Sequence, residues 1–192
     1  MTGNDMLAKI IDSDNTTVGG GASSALAGAM AAGMIAMVSK LSVKKDYGLP
    51  VEEHMSIAAE LDGLAMCLLD GSKRDEEAFL ALVSAYRMPK SNDEEKRTRA
   101  EAIHQGSVFA SNVPKENGLM CLKAYELGLA IVGKSNPNAG SDLLIALELA
   151  KTGVFGCALN IRANFPGIRD EKVIKEFEKV LRTLEQFGGR KS

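Results

Sequence analysis

Two aspartates are the candidates for chemistry that this sequence offers first. Asp75 opens the segment DEEAFLALVSAY, and the apolar residues that share its side at helical spacing are Ala78, Phe79, Leu82, Val83 and Tyr86. A carboxylate at the edge of an apolar helix face is suited to proton transfer. A plainer interpretation stays open, because Ser72 and Asp75 have the spacing of a capping box at a helix start.

The other ionisable candidates are less distinctive. Asp142 follows Asn136 and Ser141, either of which can cap a helix, so it also fits an ordinary acid in a first helical turn. His54 and His104 have no Cys, Glu or second His at the spacing of metal ligands. We therefore expect no metal site.

Three consecutive glycines, Gly19, Gly20 and Gly21, stand directly before a run of Ala, Gly, Met and Ser. If a helix begins here, its bare N–H groups suit an anion or the electron-rich edge of a ring. A loop with unusual dihedral angles is the plainer alternative. No strand pattern precedes the glycines and no Gly-Lys-Ser/Thr follows, so neither the dinucleotide fingerprint nor the phosphate loop is matched.

The predicted helix after the glycines has one face of large residues and two neighbouring stripes of small residues. We expect the large residues to pack into a core and the helix to be buried all round; they are Leu26, Met30, Met34, Met37, Val38 and Leu41. The small residues would allow close approach of a backbone, a partner subunit or a flat ligand; they are Ala25, Ala29 and Gly33, with Gly28, Ala32 and Ala36 beside them. A membrane span is not expected, because the uncharged run is mostly Ala and Gly and is shorter than the roughly 20 strongly apolar residues a bilayer needs.

The rest of the chain shows helix after helix and no period-two alternation. Breaks are expected at KKDYGLP, DGSKRD, MPKSND, SNVPKENG, GKSNPNAGSD and FPGIRD. The predicted helices span residues 4–12, 20–42, 51–70, 75–88, 92–112, 114–134, 138–164 and 170–187. The prediction is an all-α, multihelical antiparallel bundle that forms one domain, 1–192.

Composition narrows the class of protein. The 192 residues are 45% hydrophobic and 25% charged with a net charge of -2, which is typical of a globular chain and gives no nucleic-acid footprint. Cys67, Cys121 and Cys157 are interpreted as buried free thiols in a reducing compartment, and the acidic start MTGNDMLAKIIDSD does not read as a targeting peptide. We expect a cytoplasmic protein with no nucleic-acid or membrane partner.

Four segments in their order resemble the formiminotetrahydrofolate cyclodeaminase and methenyltetrahydrofolate cyclohydrolase family across nearly the whole chain. They are VGGGASSALAGAMAAGMIAMVSKLS, VKKDYG, DEEAFLALVSAYRMPKSNDEEKRTR and SNPNAGSDLLIALELAKTGVFGCALNIRANF. The chain departs from the usual family pattern at Thr16-Thr17-Val18 in place of Pro-Thr-Pro, and at Ala22, Lys73 and Glu76.

The resemblance implies a compact helical homodimer that holds a reduced folate near the subunit interface. It implies that Asp75 and Asp142 are catalytic, with Asp75 relaying a proton. The implied substrate-binding residues are Gly19, Gly20, Gly21, Lys40, Lys44, Lys45, Asn138 and Asn160. The lysines would meet the acidic glutamate tail of the folate, although lysines near a helix end are usually solvated. No metal or cofactor beside the folate substrate is implied.

The activity that the resemblance implies first is cyclisation of 5-formiminotetrahydrofolate to methenyltetrahydrofolate with release of ammonia. Methenyltetrahydrofolate cyclohydrolase is the alternative, because both reactions pass through a tetrahedral carbon and need one positioned carboxylate. Two further alternatives stay open: an inactive folate-binding or scaffold dimer, and a helical adaptor without a ligand.

Overall fold

The structure, a computed structural model, describes residues 3–188, and all the regular structure in that range is helical. The α-helices are α1 (Gly3–Ile11), α2 (Gly20–Leu41), α3 (Val51–Tyr86), α4 (Asp93–Ala130), α5 (Gly140–Ala163) and α6 (Glu171–Gly188). Short 3-10 helices lie between them at Ser42–Lys44, Pro137–Ala139 and Phe165–Gly167. The predicted all-α class and helical bundle are confirmed.

Helix α2 lies at the centre, between α3 and α5, and also contacts α4. Its first turn lies beside Asp75 in the second half of α3, whereas Lys40 near its end pairs with Asp62 in the first half of α3 at 2.6 Å. The two helices therefore run antiparallel. Gly20 lies beside Asn160 near the end of α5, which makes α2 and α5 antiparallel as well.

The predicted break at DGSKRD is wrong, because α3 continues through it. A Cβ on Gly71 would overlap the side-chain amide of Asn117 on α4, so this glycine permits close helix packing inside a helix rather than a turn. Ser72 donates its hydroxyl to the carbonyl of Leu69 at 2.7 Å and does not cap a helix start. The capping-box interpretation of Ser72 and Asp75 is therefore also wrong.

The predicted break at SNVPKENG is wrong for a related reason. Pro114 lies inside α4 and has no N–H to donate to the carbonyl of Ala110, one turn earlier. The Asn164 amide, at the end of α5, donates to that carbonyl instead, at 2.9 Å. Because the freed carbonyl has a partner from another helix, α4 runs on without a break.

The predicted faces of α2 are confirmed only in part: Val38 is buried as expected, but the helix is not buried all round. Most of its small residues pack inside the bundle: a Cβ on Gly28 would overlap Cys121 on α4. The large residues Met30, Met37 and Leu41 are instead 54%, 41% and 39% exposed. Small residues lie inside because neighbouring helices come too close to the α2 backbone for larger side chains.

Two other expectations can be compared with the structure. Cys121 and Cys157 are buried free thiols as predicted, but Cys67 is exposed. Two helical stretches, Gly20–Lys44 and Pro137–Gly167, are long and apolar enough to cross a membrane by length and composition alone. About half of each apolar window is buried inside the bundle, and the core helix of a soluble protein meets the same criterion.

Candidate active site

The glycine loop places the amino end of α2 against α3. Gly19 is the residue before the helix and no side chain caps it, while Gly19 and Gly20 are exposed and Gly21 is buried. A Cβ on Gly21 would overlap the carboxyl group of Asp75. The missing side chain therefore lets a carboxylate approach the first turn of a helix, where backbone N–H groups are free to donate.

Asp75 lies in the second half of α3, on the side that faces α2. The Ala22 backbone N–H donates a hydrogen bond to its carboxylate. Burial raises the pKa of Asp75 from its usual value of 3.8 to about 6, against the opposing effect of that hydrogen bond. Such a carboxyl group can accept and return a proton near neutral pH.

The apolar face that was predicted around Asp75 is only partly present. Ala78 is buried and Leu82 packs against Ala110 and Val113 of α4. Phe79 and Tyr86 are exposed. The raised pKa of Asp75 therefore comes from enclosure between helices rather than from the side of α3 that carries the aromatic residues.

Asn160 is the α5 side chain nearest the glycine loop. Its amide nitrogen donates to the Gly156 carbonyl at 2.8 Å and would lie 3.3 Å from a Cβ placed on Gly20. The side chain is half-buried and its carbonyl oxygen lies close to the same glycine. The structure thus brings together five of the predicted site residues, Gly19, Gly20, Gly21, Asp75 and Asn160.

A buried polar layer lies on the interior side of this group. Cys157 on α5 and Cys121 on α4 are in hydrogen-bond contact, and that contact together with burial raises the pKa of the Cys157 thiol. Asn117 is fully buried with no protein partner for its side-chain amide. It packs against Gly71, one helical turn from Asp75 on α3. Sequence reasoning missed Asn117, because it lies in SNVPKENG, a polar segment that was predicted to be a break between helices.

The remaining predicted site residues lie at the opposite end of the bundle. Lys40 is 20 positions after Gly20 on α2, which at about 1.5 Å per residue places it about 30 Å away along the helix. Lys44, Lys45, Asn138 and Asp142 belong to the same end, where the Asn136 N–H donates to Ser42 at 2.8 Å. Within one chain, these residues therefore do not lie beside Asp75, and their roles in the site stay a prediction.

The end of the bundle that carries Lys40, Lys44 and Lys45, here called the lysine end, has an ion pair and a surface cavity. Lys40 pairs with Asp62 at 2.6 Å, while Lys44 and Lys45 line a surface cavity of about 580 Å³ together with Asp46 and the segment 48–51. Neither Asp75 nor the glycine loop lines this cavity. In the single chain, Asp75 is half-buried beside the exposed Gly19 and Gly20.

Among residues 3–188, no three His, Cys, Asp or Glu side chains lie together as metal ligands would. His54 is fully buried, with Ser39 at 3.3 Å from one ring nitrogen and the Lys134 carbonyl at 3.1 Å from the other. His104 accepts a hydrogen bond from the Arg169 N–H at 3.2 Å. Both histidines thus have structural partners.

A helical bundle that encloses one carboxyl group with a pKa near neutrality at a glycine-initiated helix has the features of an acid–base enzyme. Residues 4–183 match the family model described as formiminotransferase-cyclodeaminase. The chain belongs to this family of folate-processing enzymes.

The names of individual relatives state two different activities. A methenyltetrahydrofolate cyclohydrolase of Methylorubrum extorquens is 33% identical over 94% of this chain and 91% of its own length. A formimidoyltransferase-cyclodeaminase of Gallus gallus is 28% identical over 88% of this chain but only 31% of its own length. The crystal structure of formiminotetrahydrofolate cyclodeaminase from Thermotoga maritima superposes with a TM-score of 0.80 at 25% identity, covering 94% of this chain and 87% of that one.

Proposed function

We propose that this protein is a methenyltetrahydrofolate cyclohydrolase, with formiminotetrahydrofolate cyclodeaminase as the second candidate. The observation that carries the proposal is the Asp75 carboxyl group, whose pKa is raised to about 6 beside the N-terminal amides of α2. The order differs from the sequence-based expectation because the cyclohydrolase relative combines the higher identity with a match over nearly its whole length.

In the cyclohydrolase reaction, water adds to the methenyl carbon that bridges two folate nitrogens. The Asp75 carboxylate accepts the proton of the attacking water, and a tetrahedral carbon forms. The same carboxyl group returns the proton to the ring nitrogen as its bond to that carbon breaks. The hydroxyl group on the carbon loses its own proton to solvent as the formyl C=O forms, which leaves the formyl folate. A single group can serve both steps because its pKa lies close to the working pH.

The cyclodeaminase reaction uses the same group to move a proton between different atoms. The bridging nitrogen of formiminotetrahydrofolate attacks the formimino carbon and gives its proton to Asp75, which then protonates the departing ammonia. The similarity to the Thermotoga maritima structure supports this second candidate. The geometry at Asp75 serves both reactions equally.

A homodimer in the cytoplasm is part of the proposal. The exposed stripe Met30, Gly33, Met37 and Leu41 on α2 is an apolar surface that a second copy would cover. A second copy packed in the opposite direction would bring its lysine end towards Asp75, which is about 30 Å from the lysines of its own chain by the helical rise. The buried free thiols fit a reducing compartment.

The deciding experiment supplies the two substrates separately to purified protein. Loss of methenyl absorbance with methenyltetrahydrofolate supports the first candidate, and gain of that absorbance together with ammonia from formiminotetrahydrofolate supports the second. Asp75→Asn is the matched control for contaminating activity. Reduced-folate binding without turnover would indicate an inactive binder, and no binding would indicate an adaptor.

A further inference from the structure

A second carboxylate, directly after Asp75, holds the segment that leads into the glycine loop. Lys9 on α1 donates to both carboxylate oxygens of Glu76, at 2.8 and 2.7 Å. The side chains of Lys9 and Glu76 are only 26% and 12% exposed. The two residues are 67 positions apart, so this contact joins the amino-terminal helix to α3.

The same carboxylate also reaches the loop. The hydroxyl oxygen of Thr17 lies 3.0 Å from Glu76 Oε1 and 2.7 Å from Asn15 Oδ1, so its one proton is shared between two acceptors. The Thr17 N–H donates to Asn15 Oδ1 at 2.8 Å, which closes a local turn. Thr17 is thereby fixed two residues before Gly19.

The hydroxyls of Ser23 and Ser24 donate to the carbonyls of Gly19 and Gly20, which holds the first turn of α2 together but does not attach it to α3. No side chain caps Gly19, and Gly19 and Gly20 are exposed. On the other side of the loop, Val18 packs with Met6 of α1 and Ala22 of α2 in a small apolar cluster. This cluster packs the loop against α1. The Glu76 contact attaches the segment before the glycines to α3, the helix that carries Asp75.

The burial of the Lys9–Glu76 pair makes it energetically different from surface pairs. The pair Lys123–Glu60, also anchored on α3, is 45% and 47% exposed, and water screens such a pair strongly. A nearly buried carboxylate that accepts from an ammonium and a hydroxyl holds its partners more firmly, because the alternative is an unpaired charge with little access to water.

We propose that Glu76 is a positioning residue, which acts through Lys9 and Thr17 to hold the Ala22 N–H at the carboxyl group of Asp75. It touches neither the substrate nor the reacting atoms. The kinetic part of this proposal rests on the proposed function, but its structural part does not.

The structural part is tested by hydrogen exchange without any substrate. Lys9→Met and Glu76→Gln should speed exchange of the hydrogen-bonded amides of Ala22 and Ser23 about five- to tenfold, because the loop opens more often when the pair is broken. Glu60→Gln makes the same chemical change on the same helix and should leave that exchange unaltered. Equal exchange in Glu76→Gln and Glu60→Gln overturns the proposal.

The kinetic part is tested by a charge exchange. Each single variant should raise KM for the folate substrate about threefold to tenfold with a smaller change in kcat, since the loop spends less time in its binding position. The double variant Lys9→Glu/Glu76→Lys should restore most of KM, as the ion pair is rebuilt with reversed polarity. A double variant no better than the singles, in a folded protein, counts against positioning.

A third variant covers the case in which the charge variants fold poorly. Thr17→Val keeps both charges and the side-chain size, and it removes only the hydroxyl contact. It should also speed loop exchange, and unchanged exchange overturns the role given to Thr17. Amide exchange of the loop could respond as expected while neither the parent protein nor any variant turns over a folate. In that case the proposed function fails and the positioning role stands.

Discussion

Replacing Asp75 by Asn changes turnover and stability in opposite directions. The amide keeps the size of the carboxyl group and can still accept the Ala22 N–H, but it cannot carry a proton between two atoms of the substrate. Loss of general acid–base catalysis lowers turnover by about 10²- to 10⁴-fold. The stability effect comes from the burial that raises the pKa of Asp75 to about 6.

The sign and size of the stability effect follow from proton linkage. Because the folded-state pKa lies above the usual 3.8, the wild type is favoured at low pH and loses stability as the pH rises through about 6. At about 1.36 kcal/mol for each pKa unit, the ionised carboxylate costs roughly 0.5 kcal/mol at pH 4 and roughly 3 kcal/mol at pH 7. Water that reaches the half-buried carboxylate makes the larger figure an upper value.

Asp75→Asn should therefore melt about 5–10 °C above the wild type near neutral pH, and the two proteins should converge towards pH 4. Circular dichroism melts at a series of pH values, run beside turnover assays, measure both effects on the same samples. Asp142→Asn, at the far end of α5, controls for the loss of an acidic group. An inactive Asp75→Asn without added stability would refute enclosure of the carboxylate, and a stabilised variant with normal turnover would refute its catalytic role.

Three further predictions address the loop, the assembly and the lysine end. Gly21→Ala should lower turnover about 100-fold, because its Cβ overlaps the neighbouring carboxyl group, while Gly63→Ala, whose Cβ meets nothing within 4 Å, should not. Gly33→Leu, in the exposed apolar stripe, should shift sedimentation at micromolar concentration from dimer to monomer; an unchanged dimer would place the interface elsewhere. Replacing Lys44 and Lys45 by Gln should raise KM for a polyglutamate folate more than for a monoglutamate, and equal changes would argue against a role in tail binding.

The sequence predicted most of the helices, and it failed where Gly and Pro serve packing. FPGIRD and MPKSND do interrupt the helical pattern, and helices end there. Gly71 and Pro114 belong to the same residue types, but Asn117 packs against Gly71 and Asn164 donates to the carbonyl that Pro114 leaves free. No local pattern contains either contact. A local signal cannot distinguish a turn from a close helix crossing.

The candidate site was predicted in its parts but not in its arrangement. Gly21 and Asp75 were both predicted as site residues. Their contact depends on the antiparallel pairing of α2 and α3, which the sequence pattern of the two helices does not specify. The Lys9–Glu76 pair could not be predicted, because the two residues are 67 positions apart and each resembles an ordinary surface charge. The faces of α2 were predicted correctly for Val38 but not for Met30 and Met37, because hydrophobicity alone does not tell which side of a helix its neighbours cover.

The hydrogen bond from Asn164 to the carbonyl freed by Pro114 has an evolutionary consequence. With Ala at 114, the helix would recover its own N–H donor and the Asn164 amide would face competition for the Ala110 oxygen; with Ala at 164, the proline would leave that oxygen without its present donor. Each residue is therefore tolerated because of the other. Among relatives of this chain, the two positions should change together, and lineages that have lost the proline should be free to lose the asparagine.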